Sequence, residues 1–498
     1  MNVNPITRLD YPDPDVIRVE DTYYMVSTTM HFMPGCEILQ SFDLVHWEHV
    51  TYVYETLDHT DAQQLKSGQN IYGQGMWAAS LRYHEGRFYI CFVANDTRKT
   101  YLYTSEKIDG PWKKQLIEGF YHDGSLLFDE DGRSYIVYGN DEIWITELNE
   151  DLTAPKKDGL HRLLVSDHKN PELGYEGSHI QKINGYYYIF LVHSLRDRWM
   201  RTEACFYSDS LEGEFTGGDV LCDDRGYCGQ GVAQGGIVDT PDGKWYAMLF
   251  QDSGAVGRLP ILLPVTWKDH FPIFGQNGHV PEEIEVHSTR PGYIYQPLVG
   301  SDDFCNGLLP RWQFNHDPDP RYYHLDALQG TYTITTREVC TELTQAVNTL
   351  TQRMSYPSCA AEVTVDASAL KEGDVAGLCA LQGCYAAVGI TKHHGKYEVL
   401  MLDKKEDGIL DMTEGTVVES HQMDFRLEAD FCNMKDEARC YYRVNKGDWL
   451  PIGTVHKLYF KLDHFTGCRF GLFCYAAEET GGSACFRDFK YYDVDEIS

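Results

Sequence analysis

Basic residues are scarce: the 498-residue chain carries 43 Lys and Arg against 75 Asp and Glu, a formal charge of −32. That field repels phosphate backbones and anionic headgroups over the distance salt leaves unscreened, which argues against nucleic acid and membrane surfaces as partners. Long apolar runs are also missing, so no segment reads as a membrane span. The opening MNVNPITRLDYPDPD has neither the basic head nor the apolar stretch of an export signal. The 15 cysteines form no CxxC pair, so neither a zinc site nor a disulfide framework is indicated. These absences together predict a cytoplasmic protein with reduced thiols.

What is abundant is the aromatic ring, at 13% of the chain with 34 Tyr and 9 Trp. Flat rings with a polar edge suit β-strands first and the apolar faces of sugars second. A short apolar run, a turn of Asp, Asn or Gly, and an aromatic-rich run recur together five times. The copies are DPDVIRVEDTYYMV from Asp13, WAASLRYHEGRFYICF from Trp77, DGSLLFDEDGRSYIVY from Asp123, EGSHIQKINGYYYIFL from Glu176 and QGGIVDTPDGKWYAMLF from Gln234. Each reads as a hairpin, and the copies superpose on Tyr24, Tyr89, Tyr135, Tyr188 and Tyr246. A weaker repeat (SFDLVHW from Ser41, SEKIDGPW from Ser105, SDSLEGEF from Ser208) follows three of them and is suited to close the outer part of a sheet. Every interval has room for four strands, so the pattern predicts an all-β, five-bladed propeller over residues 1–298.

Inner strands of a propeller converge on its axis, so the residues leading them share one rim. Asp13, Trp77, Asp123, Glu176 and Gln234 hold that position. Most carboxylates of so acidic a chain serve solubility, and one acid at a strand head is an ordinary turn residue. Three at equivalent repeat positions are a constellation. Glycosidic bonds are cleaved by two carboxyl groups, one protonating the leaving oxygen while the other activates water or attacks the sugar. A third tunes them through its charge.

With these residues the chain resembles glycoside hydrolase family 43 over essentially its whole length. NPITRLDYPDPDVIRVEDTYYMVSTT from Asn4, GFYHDGSLLFDEDGRSY from Gly119 and GYEGSHIQKINGYYYI from Gly174 are similar to the family's three acid-bearing segments. The resemblance implies Asp13 as general base, Asp123 as pKa modulator and Glu176 as general acid of an inverting reaction. It places Arg258 beside the substrate hydroxyls and the modulating acid. Trp77, leading the second strand on the same rim, is expected to wall the terminal subsite, with a core tryptophan as the alternative. The chemistry requires no cofactor. Many members have an axial calcium associated with a histidine, where this chain has Gln234, so calcium coordination stays open.

Past Leu298 the rhythm changes, and AAEVTVDASAL, YEVLMLD, LYFKLDHF, CRFGLFCYA and FRDFKYYDV predict a jelly-roll-like β-sandwich over 299–498. It resembles the accessory domain of exo-acting members, which closes the pocket and restricts attack to chain ends. His316 is a candidate for the pocket wall, against an ordinary structural histidine. The implied substrates are pentose-containing oligosaccharides, α-L-arabinofuranosides or β-D-xylosides. Typical xylosidases carry Phe-Glu-Trp-Phe-Pro-Gly after the first hairpin, where this chain has Met30 to Gly35. Met30 and Phe32 are therefore expected beside the terminal sugar, favouring arabinofuranosidase over xylosidase. A non-catalytic sugar-binding propeller is the rival reading, and it has no use for three converging acids.

Overall fold

The structure, a computed structural model, describes residues 3–413, 415–461 and 465–493. Five antiparallel four-stranded sheets follow one another along the first half, each running in chain order from axis to rim. Their inner strands are Asp15–Val19, Met76–His84, Ser125–Phe128, Glu176–Ile183 and Val232–Asp239. Each touches the inner strands on both sides, and the fifth touches the first, so the ring is closed. The hairpins pair in the expected register: Ile17 faces Tyr24, Arg82 faces Tyr89, Leu127 faces Tyr135, Gln181 faces Tyr188 and Val238 faces Tyr246.

The weaker repeat is the turn between third and fourth strands. Ser41, Ser105 and Ser208 each end a third strand, and each hydroxyl accepts the N–H two residues on. Sheet faces bury their apolar residues between neighbouring blades. Ile90 and Phe92 of the second blade pack with Val26 and Ile38 of the first, and Ile237 and Leu249 of the fifth with Phe190 of the fourth. The N-terminal segment latches the ring: Asn4 bonds both the N–H and the C=O of Leu262, and Ile6 N–H donates to Pro260 O, all on the fifth blade.

The remainder forms two packed sheets. The seven-stranded one centres on Ser358–Asp366 and Ser483–Asp493, and the nine-stranded one on Asp374–Leu381 and Arg469–Ala476. One strand of the larger sheet comes from the propeller half: Phe32–Met33 pairs with Gln313–Asn315, Phe314 facing Met33 and Asn315 facing Phe32. The two halves thus share a sheet. Arg353 reinforces the seam, its Nη1 2.9 Å from Glu37 Oε2 and its Nε donating to Asp10 O.

LYFKLDHF departs from the expected strand. The regular strand stops at Lys457, and residues 462–464 lie outside the described residues. Beyond the strand, side chains replace the ladder: Tyr459 N–H donates to Gln382 Oε1, and Gln382 Nε2 donates to Tyr459 O. The backbone of Tyr459 is satisfied this way, and Phe465, beyond the undescribed residues, lies at the propeller mouth.

Candidate active site

The heads of the inner strands are not regular β-structure. Asp13, Asp123 and Gln234 take positive φ (52°, 48° and 64°), and in the second and fourth blades the next residue does so, Ala78 at 30° and Gly177 at 66°. Register shifts follow in three blades, at Trp77/Ser80, Glu176/His179 and Ala233/Gly236. Aspartate tolerates the left-handed region better than most residues, and backbone strain of this kind is concentrated at functional sites. At Gly177 a Cβ would stand 2.7 Å from Gln234 Cγ, so any larger residue there forces that side chain to move.

These heads surround a cavity of about 220 Å3, lined by Asp13, Trp77, His122, Asp123, Leu173, Glu176, Trp199, Arg201, Gln234, Arg258 and Phe465. It is smaller than the roughly 300 Å3 at which drug-sized pockets begin, so it suits one small unit. A larger cavity, about 410 Å3, opens among the far ends of the inner strands, where its only carboxylate, Asp239, is held by Arg18.

Asp13 accepts hydrogen bonds from Arg258 Nη1 at 2.7 Å and from the Thr28 hydroxyl at 2.5 Å. Arg258 is therefore the partner of Asp13 rather than of Asp123, where the resemblance had set it. Asp123 Oδ2 accepts the Gly177 N–H at 2.9 Å. Burial pushes its pKa up to about 6; the charge of His122 opposes this, and Glu176 and Asp13 add to it. Glu176 accepts from Asn140 Nδ2 at 2.8 Å. Burial would raise its pKa, but His122, then Arg201 and Arg258, outweigh burial and hold it below the usual range. His122 lies between the two acids, Nε2 at 3.6 Å from Asp123 and 3.5 Å from Glu176. Burial disfavours its charge, yet Asp123 and Glu176 lift its pKa to about 9. At neutral pH the imidazole is thus a cation facing two carboxyls. Ligand atoms of His122, Asp123 and Glu176 lie within 4.8 Å of one another.

The axis does not fit the calcium ion left open by the sequence. Arg82 of the second blade lies across it: Nη1 sits 2.8 Å from Asp15 Oδ2, Nε donates to Leu126 O, and Nη2 donates to Ser125 Oγ and Ile180 O. The oxygens a cation would use there already hold a guanidinium.

The sandwich closes the cavity. Phe465 stacks on the Arg258 guanidinium, 3.9 Å from ring centre to Cζ, and meets Trp77 edge to face at 5.1 Å. Residues 3–272 match the glycosyl hydrolases family 43 domain, and residues 301–492 match the beta xylosidase C-terminal concanavalin A-like domain. The chain belongs to glycoside hydrolase family 43. It is 27% identical to a beta-xylosidase of Formosa agariphila over 99% of this chain and 89% of the relative. It is 26% identical to a non-reducing end alpha-L-arabinofuranosidase of Bacteroides ovatus over 66% and 63%. Among solved structures, a bifunctional GH43-CE protein of Bacteroides eggerthii superposes with a TM-score of 0.91 at 42% identity. That match covers 98% of this chain, which spans 63% of the longer protein. A family 43 hydrolase engineered to display both endo-xylanase and exo-arabinofuranosidase activity gives 0.86 at 27% identity, with 99% of both chains covered.

The family 43 glycosidase brings together Asp13, Trp77, Asp123, Glu176, Gln234 and Arg258 from the residues singled out in the sequence. Met30 and Phe32, expected beside the terminal sugar, lie elsewhere. Met30 is fully buried and bridges Met76, while the Phe32 ring packs under Arg469, 3.5 Å from Cζ, within the sandwich. The short strand Phe32–Met33 is consumed by the shared sheet, so neither the Met30 nor the Phe32 side chain reaches the cavity. His316 is also outside it, buried with Nε2 accepting the Ile71 N–H at 3.0 Å. His122, Leu173, Trp199, Arg201 and Phe465 were not foreseen. Of these only His122, next to a repeat acid, had a signal in the sequence.

Proposed function

We propose that the enzyme removes single pentose units from the non-reducing ends of arabinoxylan- or arabinan-derived oligosaccharides with inversion, α-L-arabinofuranosyl groups first and β-D-xylosyl groups second. The observation that carries this is the small closed cavity with three carboxylic acids at one rim. Its lining also holds three buried donors without a hydrogen-bond partner, Trp77 Nε1, His122 Nε2 and Arg201 Nη1. Such donors suit a ligand covered in hydroxyl acceptors. In this reading Asp13, steered by Arg258 and Thr28, takes a proton from the attacking water. Glu176 protonates the leaving oxygen, and the imidazolium 3.5 Å away acts on it through its charge. Asp123 holds both His122 and the Gly177 N–H in place.

The segment from Met30 to Gly35 does not bear on the choice of sugar. Support for the arabinoside comes from the engineered relative, displaying exo-arabinofuranosidase beside endo-xylanase activity, that aligns along both whole chains. A reducing compartment belongs to the same proposal, since nine of the fifteen cysteines are buried free thiols.

The test is initial rates on 4-nitrophenyl α-L-arabinofuranoside and β-D-xyloside, with Glu176→Ala as control. The arabinoside should be the faster, and the variant should lose about 100-fold or more on natural oligosaccharides, whose leaving groups need protonation, and less on aryl glycosides. A faster xyloside reverses the order of substrates. Inactivity on both overturns the reading.

A further inference from the structure

Arg201 heads the third strand of the fourth blade, and its side chain is 2% exposed. Its Nε donates to Asp252 Oδ2 at 3.0 Å, while Arg258 Nε donates to Asp252 Oδ1 at 3.1 Å. One carboxylate therefore carries two guanidiniums, and both lie against the Phe250 ring, Cζ at 5.2 and 4.6 Å from its centre. The pair forms a rigid cationic platform. At one end Arg258 reaches Asp13; at the other Arg201 lines the cavity with Glu176.

Scaffolding alone does not explain Arg201. Asp252, Glu176 and Asp13 account for its charge, but burying a donor is costly unless it is met. Nη1 is buried and has no hydrogen-bond partner.

Resting on the pentosidase reading above, we propose that Arg201 donates from Nη1 to a hydroxyl of the terminal sugar and so sets which sugars are accepted. The platform orients that sugar between the acids, and a terminal unit with the hydroxyl removed or substituted is rejected. Sites built to hydrogen-bond a hydroxyl discriminate strongly against analogues that lack it, because the protein donor is left unpaired.

The test pairs residue and hydroxyl in a cycle. Wild type and Arg201→Met are assayed on 4-nitrophenyl α-L-arabinofuranoside and its 2-, 3- and 5-deoxy analogues, with Arg201→Lys as a second variant that keeps the charge beside Asp252. In wild type one deoxy analogue should lose about 100-fold or more in kcat/KM, and in Arg201→Met that same deletion should cost under about 3-fold. Equal penalties in wild type and in both variants, with thermal unfolding of the variants showing a folded protein, would make Arg201 a scaffold residue and overturn the proposal. Should wild type hydrolyse no pentoside, the pentosidase reading fails; should it hydrolyse them without coupling, only the role of Arg201 does.

Discussion

His122 sets the protonation of the acids it separates. Its positive charge holds Glu176 below the ordinary carboxylate range while its own pKa is lifted to about 9. A general acid must be protonated to act, so the alkaline limb of kcat/KM follows Glu176. In His122→Gln the cation is gone, Glu176 keeps its proton to higher pH, and the limb should move up by about 1 unit. A pH–rate profile on a poor leaving group measures this, and an unmoved limb would detach His122 from the acid. The three acids were legible because each stands at the same place in a repeated hairpin, where position turns a common residue into a constellation. Arg201 and Phe465 were not, for one heads a third strand that the repeat does not mark and the other arrives from the second domain.

The strand Phe32–Met33 shows where pattern fails. Two residues carry no periodicity, and their partner, Gln313–Asn315, lies far along the chain, so nothing local announces the pairing. The hairpins are the opposite case: turn chemistry and alternation lie within one window, and their register is the expected one. Because Phe32 packs with Leu381, Tyr385 and Phe473 of the sandwich, it is a stability residue. Phe32→Ala should cost about 3–5 kcal/mol, read from denaturant unfolding. The ratio of arabinoside to xyloside rates should stay within about twofold of wild type, since the side chain is remote from the cavity. A changed ratio with stability intact would return this segment to the substrate.

A closed ring of five sheets must fill its own axis, and here a side chain does so. Arg82 starts in the second blade and binds Asp15 of the first, Ser125 and Leu126 of the third and Ile180 of the fourth. Four blades are tied by one guanidinium, whose planar fork of donors supplies directed bonds where an ion would supply charge alone. His179 Nδ1 completes the cluster, 3.1 Å from Asp15 Oδ1. Burial would raise the Asp15 pKa, but Arg82 and His179 outweigh it and hold it at about 2. The stability this contributes is present above the unfolded value near 3.9 and is lost as pH falls toward 2. We propose that the axis needs no metal. Dialysis against a chelator, and addition of calcium afterwards, should leave both unfolding temperature and turnover unchanged. Arg82→Met leaves Asp15 buried without its main counter-charge and should cost about 3–5 kcal/mol. A rise in unfolding temperature on adding calcium to the chelated wild type would show that the propeller takes the ion despite the guanidinium on its axis.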